Sequence, residues 1–408
     1  MNEFVRSTLW LGPALSIVLG VVLARLLRLI DNSFQWTLFN FTAEGARAIL
    51  GVFIASMLTF VVLVASTLLL VVQLVSAQLT PRIILPTFRD PRIRVALSSF
   101  LFSYAISIAI IARVEDSFVP QLAVVAAIVI NAFSVVYFVY FVMAMGMALR
   151  PANVLTQLAA AGRRVVTDIY PHGYDAGDPN GEMTAPPMDA AQATMVVVHT
   201  GASGVLLAFD SGGFVDYATQ HDAVIEIIPP VGDFVANGEA LFRIYGRGTI
   251  DPDALKKRVA FGAERTFEQD PTLALRNIVD IANKALSPAI NDPTTAVLAI
   301  DQIHRVLRWV GGRKLHSGRL NDPSGKVRLL FPTPKWNQFV TVACEEIRLY
   351  GADSPRILQR LRTMLLQLCE LLPEARRPAL RDELRLVDSL LKSPASERSE
   401  APARIMWD

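Results

Sequence analysis

Four long apolar runs fill the first 150 residues, and short strand patterns followed by amphipathic helix patterns fill the rest. The run from Leu50 to Thr80 is the longest and contains no charged residue. As a helix rising ~1.5 Å per residue it is roughly 45 Å long, well over the ~30 Å hydrocarbon core of a bilayer. It must tilt, or leave the membrane at one end. The other runs cover about Leu9–Leu29, Val95–Ile111 and Val119–Met147. The pattern predicts a four-helix transmembrane domain over residues 1–150.

Charge then sets an orientation. Arg82, Arg89, Arg92 and Arg94 follow the second run with only Asp90 opposing them, and Arg150, Arg163 and Arg164 follow the fourth. The loop between the third and fourth runs holds Arg113, Glu115 and Asp116, with no basic excess. By the positive-inside rule, the 81–94 loop, both termini and everything after residue 150 lie in the cytoplasm, although Arg25 and Arg28 oppose this. The first run lacks a small-residue cleavage site and precedes further spans, so it reads as an uncleaved helix.

After Arg150, residues 151–161 continue as an amphipathic exit helix, and Pro171 to Pro187 read as a Gly-, Pro- and Asp-rich linker. Thr194–His199, Gly204–Phe209, Val224–Ile228 and Ala240–Tyr245 are short apolar runs separated by turn residues, Ser211-Gly212-Gly213 among them. They predict a small β-barrel or sandwich over 191–250. Residues 251–392 read as mainly helical, with one strand at Val327–Phe331. Asp270-Pro271 and Asp292-Pro293 each offer an N-cap and an N1 proline. Helices are predicted from Asp270 to about Leu286, from Asp292 to Gly311, and over Trp336–Tyr350, Pro355–Leu372 and Arg376–Lys392. Residues 393–408 read as a disordered tail. The fold class is thus an α-helical membrane protein of four spans with a C-terminal cytoplasmic α/β domain.

Composition agrees with that division. The chain has 408 residues, 52% of them hydrophobic, and a mean hydropathy of +0.39, which suits a membrane part joined to a sizeable soluble part. A net charge of +2 leaves no nucleic-acid footprint. Cys344 and Cys369 lie in apolar helical patterns and read as free thiols in a reducing compartment.

Several motifs resemble those of the bacterial membrane family called domain of unknown function 2254. They are Ser76-Ala77-Gln78-Leu79-Thr80-Pro81-Arg82, Gly204-Val205-Leu206 leading to Asp210, and Pro230-Val231-Gly232-Asp233-Phe234-Val235. Phe261-Gly262-Ala263-Glu264-Arg265 through Asp270, and Ala285-Leu286-Ser287-Pro288-Ala289-Ile290-Asn291-Asp292-Pro293-Thr294-Thr295-Ala296, belong to the same set. The family's more usual Gly-Tyr is Gly204-Val205 here, so no aromatic stands at that position. The resemblance runs from the first span to about residue 390. It implies a multispanning membrane protein with a shared cytoplasmic part, and no established activity.

The candidate residues fall into two groups. Thr59, Ser66, Gln73 and Thr80 recur every seven residues along the second span. This spacing puts them on one face of a helix. They are candidates to line a path, as hydroxyls and one amide can, or to pack against another helix. Ser103, in a row with Ser99 and Ser107, and Asn131 in the fourth span are further pore-lining candidates with the same alternative. In the soluble part Glu264, Arg265 and Asn291 are candidates for a ligand site or subunit contact, and Asp270 and Asp292 for structural caps.

No span carries an ionisable residue near its centre, which argues against a proton-driven pump. The five histidines lack metal-ligand spacing, and no phosphate loop, nucleophile elbow or zinc signature is present. No cofactor, metal or catalytic residue is expected. The sequence supports an oligomeric channel or transporter-like pore for ions or small solutes in the bacterial inner membrane. The lipid bilayer and further copies of the chain would be its partners. The alternative is a membrane-anchored sensor or scaffold whose cytoplasmic domain binds a partner or ligand.

Overall fold

A computed structural model describes residues 11–34, 40–78, 91–116, 118–148, 150–175 and 189–393. Thr80, the basic positions 82 and 89, the linker beyond residue 175 and the tail from 394 lie outside the described residues. The chain divides into two compact units, Met1–Asn153 and Val154–Asp408.

The first unit contains α1 (Leu11–Phe34), α2 (Ala43–Gln78), α3 (Pro91–Ile111) and α4 (Gln121–Ala148). All four are long and apolar enough to cross a membrane. α3 packs against each of the other three. Gly20 allows its close approach to α1, since a Cβ at this position would lie 2.9 Å from the Phe102 carbonyl oxygen. Phe60, Phe100 and Phe138 tie α2, α3 and α4 together, with ring centroids 4.6–6.1 Å apart. On α2 the inward face repeats every seven residues as Leu50, Met57, Val64 and Val71, none more than 5% exposed.

Two helices are longer than their apolar runs. α2 starts at Ala43, where the Thr42 hydroxyl accepts from the Gly45 amide at 3.1 Å. α1 continues through Asp31, which the hydropathy pattern assigns to a polar loop. Asp31 is 3% exposed, and its two carboxylate oxygens accept from the amides of Leu122 and Ala123, each at 3.0 Å. A carboxylate of α1 thus satisfies orphan amides at the start of α4. Gln121 exchanges two hydrogen bonds with the Phe41 backbone beside it.

α5 (Pro151–Ile169) starts at the boundary, and its part in the second unit buries Leu155, Leu158, Val165 and Val166 on one face. Gly162 of that helix meets α8 (Leu273–Leu286) so closely that a Cβ would lie 2.4 Å from the Ala274 Cβ. The strands are β1 (Met195–Val198), β2 (Gly204–Phe209), β3 (Ala223–Ile227), β4 (Phe234–Val235), β5 (Ala240–Gly246), β6 (Val259–Gly262), β7 (Arg319–Asn321) and β8 (Val327–Leu330). They form a five-stranded sheet in the order β1-β5-β3-β8-β7 and a three-stranded sheet β4-β2-β6. The β3/β8 pair is parallel and the others are antiparallel. β6, β7 and β8 come from beyond residue 250, where the pattern is mainly helical.

The two sheets share one core with α6 (Ser211–Gln220), which contributes Phe214 and Ala218. Ser211-Gly212-Gly213 is therefore the first turn of a helix and not the expected loop. Asp210 caps it by accepting from the Gly213 amide at 3.0 Å. Glycine is required at 213 because a Cβ there would meet the Asp210 carboxylate and lie 3.2 Å from Arg258 Nε.

The helical part adds the short α7 (Pro252–Lys256), then α9 (Pro293–Gly311), α10 (Trp336–Tyr350), α11 (Pro355–Leu371) and α12 (Arg377–Lys392). Arg376, 3% exposed, donates to the Arg313 carbonyl at 3.0 Å just past α9, and lies over the Trp336 and Tyr174 rings.

Candidate functional site

The candidates in the first unit separate into an outer row and a sealed seam. Thr59, Ser66 and Gln73 each stand two residues beyond Met57, Val64 and Val71 on α2. Two helical residues rotate by about 200°, so the polar row lies opposite the packed face. All three are exposed in the single chain. The Thr59 hydroxyl donates to the Ala55 carbonyl at 2.9 Å, and Ser56 makes the same bond to Val52 at 2.8 Å.

Ser103 and Asn131 lie elsewhere. They are 0% and 1% exposed and sit between α3 and α4. The Ser134 hydroxyl is 3.0 Å from Ser99 and 2.7 Å from Ser103, while Ser107 donates to the Ser103 carbonyl at 2.7 Å. Asn131 Nδ2 donates to the Ala127 carbonyl at 2.8 Å and to Ser107 Oγ at 3.3 Å. The Ser99, Ser103 and Ser134 hydroxyls and the Asn131–Ser107 bond join two helices of one chain, as in the packing alternative for these two positions. Asn131 Oδ1 is buried without a donor.

Arginines gather where the α3–α4 loop meets α1 and α2. Arg47 donates to Asp116 at 2.9 Å and to the Val114 carbonyl at 2.9 Å. Arg28 pairs with Glu115 at 3.5 Å. The acidic residues of that loop therefore offset basic residues of the first two helices, a pairing that span-end counting does not register.

In the second unit, two motifs far apart in sequence meet. Arg265 lies 3.5 Å from Asp233 and 3.7 Å from Asp270. Gly232, at φ +95°, lies against both: a Cβ would be 2.7 Å from Asp270 Oδ2 and 3.3 Å from the Arg265 guanidinium carbon. Only glycine satisfies both the backbone and the space. Asp270 Oδ1 accepts from the Thr272 amide (2.9 Å), the Thr272 hydroxyl (2.7 Å) and the Leu273 amide (3.1 Å). Pro271 is not the first helical residue, as its pairing with Asp270 suggests; α8 begins at Leu273, with Thr272 at the N-cap position. The other Asp270 oxygen is buried and faces Arg265 and Gly232. Glu264 is exposed, and no hydrogen bond or ion pair joins it or the Asn291 side chain to this cluster among the described residues.

Asn291 and Asp292 form the turn between α8 and α9. Asn291 has φ +46°, a conformation that asparagine tolerates better than most residues. Asp292 caps α9, accepting from the Thr294 and Thr295 amides at 3.1 Å each and from the Thr295 hydroxyl at 2.6 Å, with Pro293 at the start of the helix. The Thr295 hydroxyl, then the backbone amides and the charge of Arg356, hold the Asp292 carboxyl below its ordinary range against the opposing effect of burial.

A cleft of about 660 Å³ opens elsewhere in this unit, with Phe331, Pro334 and Trp336 among its walls and His316, Lys335 and Asp382 among its polar groups. His316 Nδ1 accepts from the Gly318 amide at 3.2 Å, and burial lowers the pKa of the ring, favouring its neutral form. His199 and His221 donate to backbone carbonyls at 3.0 and 2.8 Å. Cys344 is buried, Cys369 half-buried, and both are free. Among the described residues, no three His, Cys, Asp or Glu side chains gather as a metal site.

Comparison with known proteins adds a family. The family described as "Predicted membrane protein (DUF2254)" matches residues 6–367. Uncharacterized proteins of Mycobacterium tuberculosis and Mycobacterium bovis are each 27% identical over 406 residues, covering 94% of this chain and 76% of theirs. No solved structure matches the chain.

Proposed function

The chain belongs to the DUF2254 family of predicted membrane proteins, and we propose that it assembles as a homo-oligomer whose α2 helices line a path for ions or small solutes. The observation that supports this reading is the outward position of Thr59, Ser66 and Gln73 on α2. A primary amide facing hydrocarbon lacks partners for its donors and acceptor, which is costly. Facing further copies of α2 around a water-filled path, the same row is solvated. Ser103 and Asn131 take no part in this path, since their seam holds α3 to α4.

The second unit is assigned to the cytoplasmic side of the bacterial inner membrane. The basic residues that follow the second and fourth spans support that assignment, and Arg28 and Arg47 at the opposite end count against it. The protein is read as non-enzymatic. A sensor or scaffold reading draws its support from the cleft at His316 and Lys335, where a small partner or ligand fits.

Gln73→Leu tests the path directly. In reconstituted vesicles this change should narrow a wetted constriction and lower solute flux while the oligomer stays intact. Loss of assembly ahead of flux would assign Gln73 to helix packing instead.

A further inference from the structure

Another cleft, of about 510 Å³, lies between α5 and α9, lined by Ala160, Arg163, Arg164, Thr167, Asp168 and Trp309. Its aromatic wall is fixed in place. Trp309 Nε1 donates to the Thr167 hydroxyl at 3.1 Å, and the Arg313 guanidinium lies 4.6 Å from the ring centre. Arg313 is itself held by the carbonyls of Tyr170 and Pro171 at 3.3 and 2.8 Å. The Thr167 hydroxyl donates to the Arg163 carbonyl at 2.7 Å, so its proton is already committed. The free donors of the cleft are two guanidiniums. Neither Arg163 nor Arg164 makes a side-chain hydrogen bond or ion pair among the described residues, although Asp168 stands one turn from Arg164.

Adjacent arginines with no protein partner beside an exposed tryptophan suit an anion that also has an apolar portion. Guanidinium forks match phosphate oxygens. Trp309 is 41% exposed and offers ring surface that a bare inorganic anion leaves uncovered. Arginine and tryptophan together are the residues that meet lipid headgroups at a membrane interface. α5 begins at Pro151, three positions after α4 ends at Ala148. Its apolar face is taken up inside its own unit, so the helix has no second apolar face with which to embed itself.

We propose that this cleft binds the phosphate headgroup of an anionic phospholipid, with Arg163 and Arg164 on the phosphate oxygens and the Trp309 ring against the glycerol and first acyl carbons. Removing both arginines should lower phosphatidylglycerol binding to the level of phosphatidylcholine.

The test uses the full chain in mild detergent, titrated with short-chain phosphatidylglycerol, short-chain phosphatidylcholine or inorganic phosphate, with bound molecules counted by native mass spectrometry. Phosphatidylglycerol should bind more tightly than phosphatidylcholine, and Arg163→Gln with Arg164→Gln should abolish the preference. Trp309→Leu should weaken phosphatidylglycerol binding and leave inorganic phosphate unchanged. Equal binding of the two lipids, or an unaltered preference in the double variant, would overturn the proposal. Inorganic phosphate binding as tightly as phosphatidylglycerol would make this a free-anion site and overturn the lipid assignment. If the double variant melts early, the wild-type chain decides: its phosphatidylglycerol preference must fall as salt rises, and a salt-independent preference refutes the arginine pair.

Discussion

Asp292→Ala asks whether the most specific motif of the chain is architectural. The wild-type carboxylate satisfies two amides of the first turn of α9 and the Thr295 hydroxyl. Loss of an N-cap costs ~1 kcal/mol, and about 2 kcal/mol in demanding cases. Thr295 is only 7% exposed, so its hydroxyl loses an acceptor that water replaces poorly, adding ~1 kcal/mol. The expected destabilisation is therefore about 2–3 kcal/mol. In a unit the size of Val154–Asp408, that corresponds to a fall in Tm of roughly 5–10 °C. Asp292→Asn keeps one acceptor oxygen and should recover about half of the loss. Cys344 provides the assay, because it is 0% exposed and burial pushes its thiol pKa well up. With Cys369 replaced by serine, the temperature at which Cys344 becomes reactive reports unfolding of this unit in the full chain. An Asp292→Ala chain that melts like wild type yet loses solute flux would place Asp292 in a functional site and refute the cap assignment.

The same variant carries a pH signature. Asp292 has a lowered pKa in the fold, so its stabilisation is complete above the unfolded value of ~3.9 and is lost as pH falls through the lower folded value. The Tm gap between wild type and Asp292→Ala should be flat from about pH 7 to 5 and close below about pH 4; a gap that widens on acidification contradicts the assignment. At the neighbouring position, Asn291→Gly should leave Tm unchanged or raised, whereas Asn291→Val should lower stability by ~1–2 kcal/mol, because φ is +46° there. In the first unit, Asp31→Ala removes a charged acceptor from two amides of α4, and detergent unfolding should show a loss of ~2–3 kcal/mol with little change in the second unit.

Local periodicity carried much of this fold. The charge-free run of α2 and the seven-residue recurrence of Thr59, Ser66 and Gln73 are properties of one helix, readable without knowing its neighbours. β2 and α10 match their patterns residue for residue, because a short apolar run or an amphipathic period together with flanking turn residues marks both ends. What escaped the pattern depends on pairing between distant segments. Asp31 reads as loop because its partners are amides 91 and 92 residues away. β8 joins β3 in parallel across some hundred residues, and nothing within either strand names the other. Arg265 could be singled out within its motif, but its meeting with Gly232 and Asp270 could not, because the fold brings two loops together there. Arg163 and Arg164 register in the sequence as juxtamembrane charge. Their unpaired state beside Trp309 emerges only once α5 and α9 are packed.

The central claim, that the outer row of α2 lines a path, is tested most directly by cysteine accessibility in the assembled protein. Single cysteines at Thr59, Ser66 and Gln73, with Met57 and Val64 as packed controls, would be placed in a chain whose native cysteines are serine. A water-soluble thiol reagent small enough to permeate would then be applied to the reconstituted oligomer. A row that lines a path is labelled at all three positions, with protection at both controls. Uniform protection of the row, in resting and stimulated states and with the oligomer intact, would contradict it and leave the sensor or scaffold reading in its place.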